Sequence, residues 1–429
     1  LERVLLIGYF FPPCNLTAGE RLHSWARHLH KFGYYPVVIT RRWDIPVGKM
    51  SDMSLATPEE VLLNTHGTYE SYAVPYIPNV KDRVYTHFGD KRLVLVRKFL
   101  TLNELVLQRY HNQFIPYHNI GDFAQEYLAN NPDIKKVIIT GNPFILFKFG
   151  YQLHKNHGVR WIADYRDAWT TSDIDTINRD RIFRMLRQSE VHDEKKWVST
   201  ASCITSVSDP LQKKISKLVN VPGHWIPNGF EMGEFDEYKH VKPFEKFTVT
   251  YVGTLYYGQD IEMFCEAFKM LIQKYPAEDK EVLFPGLAFY EQQHQRIKDA
   301  FEGYERYYQA SGRTSKDKIL ETEVKSNLLL YPAWKGFEGI IPSKIYEYIA
   351  SGTHTLVAPS DSGEVEKIVK TSGCGSITNS LEDTFAFLEK CYLAHLKGDR
   401  MRTDLSGEKA YFFSRENQAK RMAALLDSI

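Results

Sequence analysis

The stretch from Ile341 to Gly352, IPSKIYEYIASG, combines residue types and spacing best suited to chemistry. Pro342, Ser343 and Lys344 read as a helix start, and Gly352 as its stop. Backbone N–H groups at such a start have no intrahelical partner, and the aligned peptides add roughly half a positive charge, so the end of the helix can receive an anion. Ser343 adds a hydroxyl and Lys344 a full positive charge. Glu347 follows Ser343 by four residues and Lys344 by three, which puts all three on one face, about one turn or ~5.4 Å apart. A diphosphate on the helix end and a sugar diol on the carboxylate fit that arrangement. An ordinary capped helix with a surface lysine and glutamate is the competing reading. A capping box, however, wants its acid three residues after Ser343, where Tyr346 stands, so capping does not account for Glu347.

The loop from Phe11 to Arg21 has a similar character. It leads into a helix and carries Ala18 beside Gly19, small residues that let a ligand approach the backbone, although a plain strand-to-helix turn has the same composition. It is not GxGxxG, which argues against a dinucleotide dehydrogenase. Arg21 reads as a solvated side chain. In WIADYRDAWTT, Asp164, Arg166 and Asp167 fall just past a strand end, where charges point toward a ligand cleft; a self-contained Asp–Arg ion pair is the alternative. Asp173-Ile174-Asp175 spells DxD, but it lies in a polar run and reads as a solvated loop, so no metal is assigned. The fifteen histidines show no HExxH and no ligand spacing, and no GxSxG occurs.

These candidates need strands and helices to hold them. Arg3 to Tyr9 is a short apolar run, as expected of a strand covered on both faces. Leu22, Trp25, Ala26 and Leu29 then recur at helical spacing, Gly33 stops the helix, and PVVIT from Pro36 is the next strand. Strand-like runs at 137–140, 161–163 and 202–206 continue a doubly wound parallel sheet. Near residue 228 the pattern turns polar. A second series begins with the strand FTVTYV (247–252), ended by Gly253-Thr254. A helix at 260–274, strands at 282–284, 327–331 and 355–358, and a final helix from 414 follow. The expected domains are 1–228, a linker at 229–246, 247–410, and a last helix at 411–429. Ligands of open parallel sheets sit beyond the carboxyl ends of the strands, so a cleft between two such sheets is the expected binding place. The segment 79–119 fits least: it mixes Lys81, Arg83, Lys91, Arg92, Arg97, Lys98 and Arg109 with Leu, Val, Phe and Tyr. It reads as an insertion that touches anionic lipid or a lipid-linked acceptor, or as a solvated helical insertion on its own domain.

Composition narrows the classes. The chain has 429 residues, 43 % apolar and 25 % charged, the balance of a folded protein with room for two or three domains. A net charge of +1 shows no basic excess of the kind a nucleic-acid binder carries. Five scattered cysteines without a CxxC suggest a reducing compartment. The apolar N-terminal run reaches Pro12-Pro13 too soon for a signal peptide, and no stretch approaches the ~18 apolar residues of a membrane span. The expected location is the cytosol, or the periphery of the membrane's inner face.

FPPCNLTAGERLHSWARHLHKFG, WIADYRDAWTT, IPNGFE, YVGTLYYGQDIEMF and IPSKIYEYIASG, in this order, resemble the retaining glycosyltransferases of family 4, over the chain from Val4 to about Gly375. The resemblance implies a GT-B fold: two Rossmann-like domains facing each other across a cleft, with the last helix crossing back to the first. It implies a nucleotide-diphospho-sugar donor, UDP-sugar favoured, held mainly by the C-terminal domain, with no obligatory metal and no cofactor. It places Glu347 on the donor ribose. Ser343 and Lys344, with the Ile340 and Ile341 backbone, fall on the diphosphate. Gly253 and Thr254 fall at the turn facing the phosphates, Arg313 and Thr314 beside the nucleobase, and Ala18 and Gly19 at a Gly-Gly position near the phosphates. Asp167 falls in the RD-x-W signature of the capsule and exopolysaccharide branch. The sequence departs from the pattern at Gly339, where an acid is frequent, and at Gln259, where a basic residue is common. It also carries Gly141, Asn142 and Pro143 where a histidine is frequent.

The implied reaction is sugar transfer with retention to a saccharide or lipid-linked saccharide, in polysaccharide synthesis. Lys344 would stabilise the leaving diphosphate, Asp167 would orient the acceptor hydroxyl, and Asp164, Arg166 and Asn142 are acceptor-side candidates. A nucleotide-sugar epimerase on the same fold and a non-catalytic sugar-nucleotide-binding protein are the alternatives.

Overall fold

The computed structural model describes residues 1–48, 50–89, 92–171, 181–334, 339, 341–405 and 407–429. The chain divides into two compact units, Leu1–Pro227 with Gln418–Ile429, and Asn228–Asn417. The strands are β1 (Glu2–Gly8), β2 (Tyr34–Arg41), β3 (Leu62–Thr65), β4 (Glu70–Val74), β5 (Lys136–Gly141), β6 (Arg160–Tyr165), β7 (Cys203–Ser206) and β8 (Gly223–Trp225) in the first unit. In the second they are β9 (Phe247–Thr250), β10 (Lys280–Phe284), β11 (Tyr308–Ala310), β12 (Leu328–Tyr331), β13 (Thr355–Val357) and β14 (Gly375–Ile377). The helices α1 (Glu20–His28), α2 (Val80–Phe88), α3 (Val94–Leu107), α4 (His118–Asn130), α5 (Leu146–His157), α6 (Arg181–Val198) and α7 (Asp209–Val219) lie between the first eight strands. After them come α8 (Glu262–Lys274), α9 (Glu291–Ala300), α10 (Lys316–Lys325), α11 (Lys344–Ser351), α12 (Glu364–Ser372), α13 (Leu381–Leu396), α14 (Glu408–Tyr411) and α15 (Arg415–Ser428).

The first sheet has the order β3-β4-β2-β1-β5-β6-β7-β8 and is parallel except for β3. Its central strands show why a continuous apolar run is needed. Leu5 and Ile7 of β1 join Val37, Ile39, Val137 and Ile139 on one face, packed by Phe147, Phe149 and Leu153 of α5. Val4 and Leu6 join Val38, Ile138 and Ile162 on the other, under Leu22, Trp25 and Ala26 of α1. Successive residues of one strand thus enter different cores, so both phases of the two-residue repeat must be apolar. The α1 face is also covered by Ala419, Met422, Ala423 and Leu426 of α15, so the C-terminal helix packs with the N-terminal sheet and α1.

The second sheet, β11-β10-β9-β12-β13-β14, is parallel throughout. One face packs Val249, Val282, Phe284, Leu328 and Leu330 against α8 and α13. The other packs Leu329, Tyr331 and Val357 against Ile345, Tyr348 and Ile349 of α11 and Val369 of α12. The charged stretch after residue 228 is less open than its composition suggests: Phe230 and Phe235 are buried in this second core, and Phe230 bridges to Ser414. Among the described residues, no helix is long and apolar enough to cross a membrane, and no group of three His, Cys, Asp or Glu is placed to hold a metal ion. The Asp173–Asp175 motif and Glu338, the acid next to Gly339, lie outside the described residues.

Candidate active site

Both sheets reverse their winding direction at one place, between β1 and β5 in the first and between β9 and β12 in the second. A crevice opens beyond the carboxyl ends of two such strands because the connections leave toward opposite sides. In the second unit β9 runs out into Tyr251, Val252, Gly253 and Thr254. Gly253 has φ +85°, a left-handed conformation for which glycine is best suited. Gly286, after β10, has φ +87°, and a Cβ there would lie 3.6 Å from Gly253 Cα. Two glycines back to back keep this edge thin. Gly253 N–H donates to Pro285 O (3.0 Å) and Ala288 N–H to Ser311 O (3.0 Å), so the loops after β9, β10 and β11 are laced side by side.

The N-terminus of α11 meets this edge. Lys344, its first residue, sends Nζ to Val252 O (2.7 Å) and to the Tyr251 hydroxyl (3.0 Å), 4.2 Å from the Tyr251 ring centre. One turn on, the Tyr348 hydroxyl accepts from Val252 N–H (3.0 Å). Residues 344 and 348 share a helix face, so α11 grips the end of β9 twice. Among the described residues, no carboxylate lies within ion-pair distance of Lys344. Burial lowers its pKa to about 7, while the Glu347 and Glu323 carboxyls pull it the other way. Ser343 is exposed, and its hydroxyl makes no capping bond. Ile341 is buried beside it, Ile340 lies outside the described residues, and Gly339 has φ +79°. Glu347 is half-buried on the same helix.

Farther along the same edge, Arg313 is exposed with its guanidinium 4.2 Å from the centre of the Phe289 ring. Thr314 lines a groove of about 390 Å³ with Phe284, Pro285, Ser311 and Lys318. Thr254 is half-buried, and its carbonyl accepts from the Tyr251 hydroxyl (2.6 Å). The structure thus brings Gly253, Thr254, Lys344 and Glu347 together at the switch point, with Arg313 and Thr314 two strands away. Gln259 is buried; its amide donates to Pro332 O (2.6 Å) and accepts from Tyr256 N–H (2.9 Å), bracing the end of β12 against the β9 loop.

Residues that the sequence did not single out complete the crevice. Tyr251 and Tyr348 hold Lys344 and the β9 end. Glu323 of α10 is fully buried, and neither carboxyl oxygen has a hydrogen-bond partner among the described residues. Burial, reinforced by the Glu347 and Glu234 carboxylates, raises its pKa well above the usual carboxylate range. The signal was present: Glu323 shares the apolar spacing of Leu320 and Val324, which puts an acid on the inward face of α10.

The first unit's switch point is built differently. A small niche there is lined by Gly8, Tyr9, Ala18, Gly141, Asn142 and Arg166, so Ala18, Asn142 and Arg166 come together. Gly19 is buried beneath, where a Cβ would meet Phe11 N at 3.3 Å. Asp167 is exposed and accepts from Arg166 (2.6 Å). Asp164 is not at the niche. Its fully buried carboxylate accepts from Arg21 Nε (3.0 Å) and Nη2 (2.9 Å) and from the Thr205 hydroxyl (2.7 Å). Arg21, expected in solvent, is only 4 % exposed and also donates to Pro227 O (3.1 Å). Period two explains the placement: Asp164 follows Ile162 by two and faces α1, as Ile162 does.

Two sheets of this kind, with the C-terminal helix packed on the first, define the GT-B fold, an architecture of nucleotide-sugar-dependent retaining glycosyltransferases. No protein-family model matches the chain, and no curated protein matches it by sequence. Solved structures do. A sucrose-phosphate synthase from Thermosynechococcus elongatus is 15 % identical with a TM-score of 0.57, covering 100 % of this chain and 99 % of its own. A UDP-forming α,α-trehalose-phosphate synthase from Burkholderia vietnamiensis is 13 % identical with a TM-score of 0.61, over 100 % and 99 %. Anabaena Alr3699/HepE, solved in complex with UDP and glucose, is 11 % identical with a TM-score of 0.57, over 100 % of both chains.

Proposed function

We propose that this protein is a retaining glycosyltransferase that takes a sugar from a nucleoside-diphosphate sugar, a UDP-sugar foremost, and transfers it to a saccharide or lipid-linked saccharide in polysaccharide synthesis. The observation that carries the reading is the Lys344 ammonium group, half-buried at a sheet switch point, bonded to neutral oxygens and beside a glycine-thinned edge. An ammonium there is incompletely compensated until an anion arrives. The likeness to UDP-binding GT-B structures supports the choice of donor.

In the proposed reaction the bond between the sugar's anomeric carbon and the diphosphate oxygen breaks. The acceptor hydroxyl forms its bond to that carbon on the same face, and its proton passes to the departing phosphate oxygen. Negative charge grows on the diphosphate, so donors fixed beforehand on that charge lower the barrier. Lys344, the Ser343 hydroxyl and the positive end of α11 are those donors, with the Ile341 backbone and Gly253-Thr254 beside them. Glu347 reads the ribose diol. Arg313 and Thr314 stand at the nucleobase end. On the acceptor side, Asn142 and Arg166 line a niche and Asp167 orients the hydroxyl, while Ala18 and Gly19 are assigned to the donor phosphates. Asp164 acts there through the fold, by fixing Arg21.

The test is a donor titration and a turnover assay on Lys344→Ala and Glu347→Ala. The reading predicts that both lose nucleotide-sugar affinity and that Lys344→Ala loses the larger share of turnover. Parent-like binding and turnover in both would refute it.

A further inference from the structure

The insertion between β4 and α4 presents an apolar surface that the fold does not cover. Nine of the fourteen residues of α3 are Val, Leu or Phe, and yet none of the fourteen is buried. Leu95 is 81 % exposed, Phe99 65 % and Tyr110 75 %, with Val106 also exposed. These positions recur at i, i+4, i+11 and i+15, so they form one stripe along the helix and the turn that follows it. From Leu95 to Val106 the stripe runs about 16 Å. On α2, Val80 and Phe88 are exposed two turns apart. In a helix that serves a protein core the apolar stripe faces inward; here it faces solvent.

The charges around it are sorted. The segment 79–119 holds seven Lys or Arg and three Asp or Glu, in a chain whose net charge is +1. The two acids that the structure describes are engaged inward. Asp82 is buried and accepts from Ser54 Oγ, Tyr76 OH and Asn79 N–H. Glu104 pairs with Lys81 (2.6 Å) and accepts from the Asn79 amide. Arg83, Arg92 and Lys98 are exposed. An outward apolar stripe flanked by cations is the pattern of a helix that lies in a bilayer interface, its apolar side chains among the acyl chains and its cations at acidic headgroups. With no membrane-crossing helix among the described residues, the chain would lie on the bilayer rather than span it.

We propose that α2 and α3 form a docking surface for an anionic lipid bilayer. A second copy of the chain is the poorer occupant, because a two-fold contact through this patch would bring the exposed Arg83, Arg92 and Lys98 of both copies together. The surface belongs to the first unit and Lys344 to the second, and none of its observations involves Lys344, so the proposal stands whether or not the reading of Lys344 does. If both hold, the acceptor is one that resides at the membrane.

The experiment is co-flotation of the full chain with vesicles of phosphatidylcholine alone and with about 30 % phosphatidylglycerol, at low salt and at high salt where headgroup attraction is screened. Binding is expected only with phosphatidylglycerol, and salt weakens it. Leu95→Asn with Phe99→Asn, and separately Arg92→Gln with Lys98→Gln, each reduce it at least about tenfold. All four residues are exposed, so both variants keep the parent's Tm and donor affinity. Absence of binding to the anionic vesicles overturns the proposal, as does binding that neither pair of substitutions changes. A concentration-dependent dimer that Phe99→Asn abolishes, without vesicle binding, overturns it in favour of an interface between copies.

Discussion

The two switch points carry cations in opposite states. At the first, Arg21 is matched by Asp164 and Arg166 by Asp167, so charge is balanced within the protein. At the second, Lys344 meets a carbonyl and a phenol, and no carboxylate completes a salt bridge among the described residues. A cation with its counter-ion already bound is part of the scaffold. A cation held by neutral oxygens, with its pKa lowered by burial, binds a proton and an external anion together. The same topology thus yields cations paired within the protein in one unit and, on the proposed reading, a cation left for an external anion in the other, and the difference lies in where the acids are.

Removing partners should expose that difference. Arg21→Ala leaves Asp164 buried without its cation and is expected to destabilise the first unit by about 3–5 kcal/mol, seen as a lower Tm or insoluble protein. Lys344→Ala should behave the other way, folding normally while turnover falls by about 10²–10³, or ~3–4 kcal/mol. A parent-like Tm in Arg21→Ala, or a collapsed Lys344→Ala, would break the comparison. Lys344→Met sharpens it. The native lysine resists protonation relative to the unfolded chain, so between pH ~7 and ~10.4 the unfolded state binds more protons and stability rises with pH. Methionine removes that cost and should stabilise the free protein at neutral pH by about 0.5–2 kcal/mol while abolishing donor binding. Gly253→Ala forces an L-residue to a positive φ and should cost ~1–2 kcal/mol, together with donor affinity. Asp167→Asn should change Tm least, within about 1 kcal/mol, because its pair with Arg166 is exposed; its effect belongs in acceptor turnover.

The fold was legible because strands buried on both faces need apolar residues at every position, as Val4 to Ile7 show, and because α1 repeats at 3.6 residues. IPSKIYEYIASG was legible as a helix start next to a charge for the same local reason. What sequence spacing did not reveal were partnerships across the chain. Arg21 meets Asp164 across 143 positions and Lys344 meets Tyr251 across 93, and local patterning carries no signal for either. The burial of Asp164 was readable in principle, since it is in phase with Ile162, but a charged residue at a strand end invites the outward reading. Glu323 was hidden by a similar expectation, an acid on an amphipathic helix being usually a solvated one.

The central claim is that Lys344 is a proton-coupled anion site. A calorimetric titration of UDP-glucose from pH ~6.5 to ~9, in buffers of different ionisation enthalpy, tests it directly, because the diphosphate of a nucleotide sugar does not titrate in that range. With a free pKa of about 7, binding should take up a proton above that pH. Affinity should fall by up to about tenfold per pH unit until the bound-state pKa is reached, and Lys344→Met should remove both effects along with most of the affinity. A binding constant flat across this range, with no proton uptake and no change in Lys344→Met, would contradict the account.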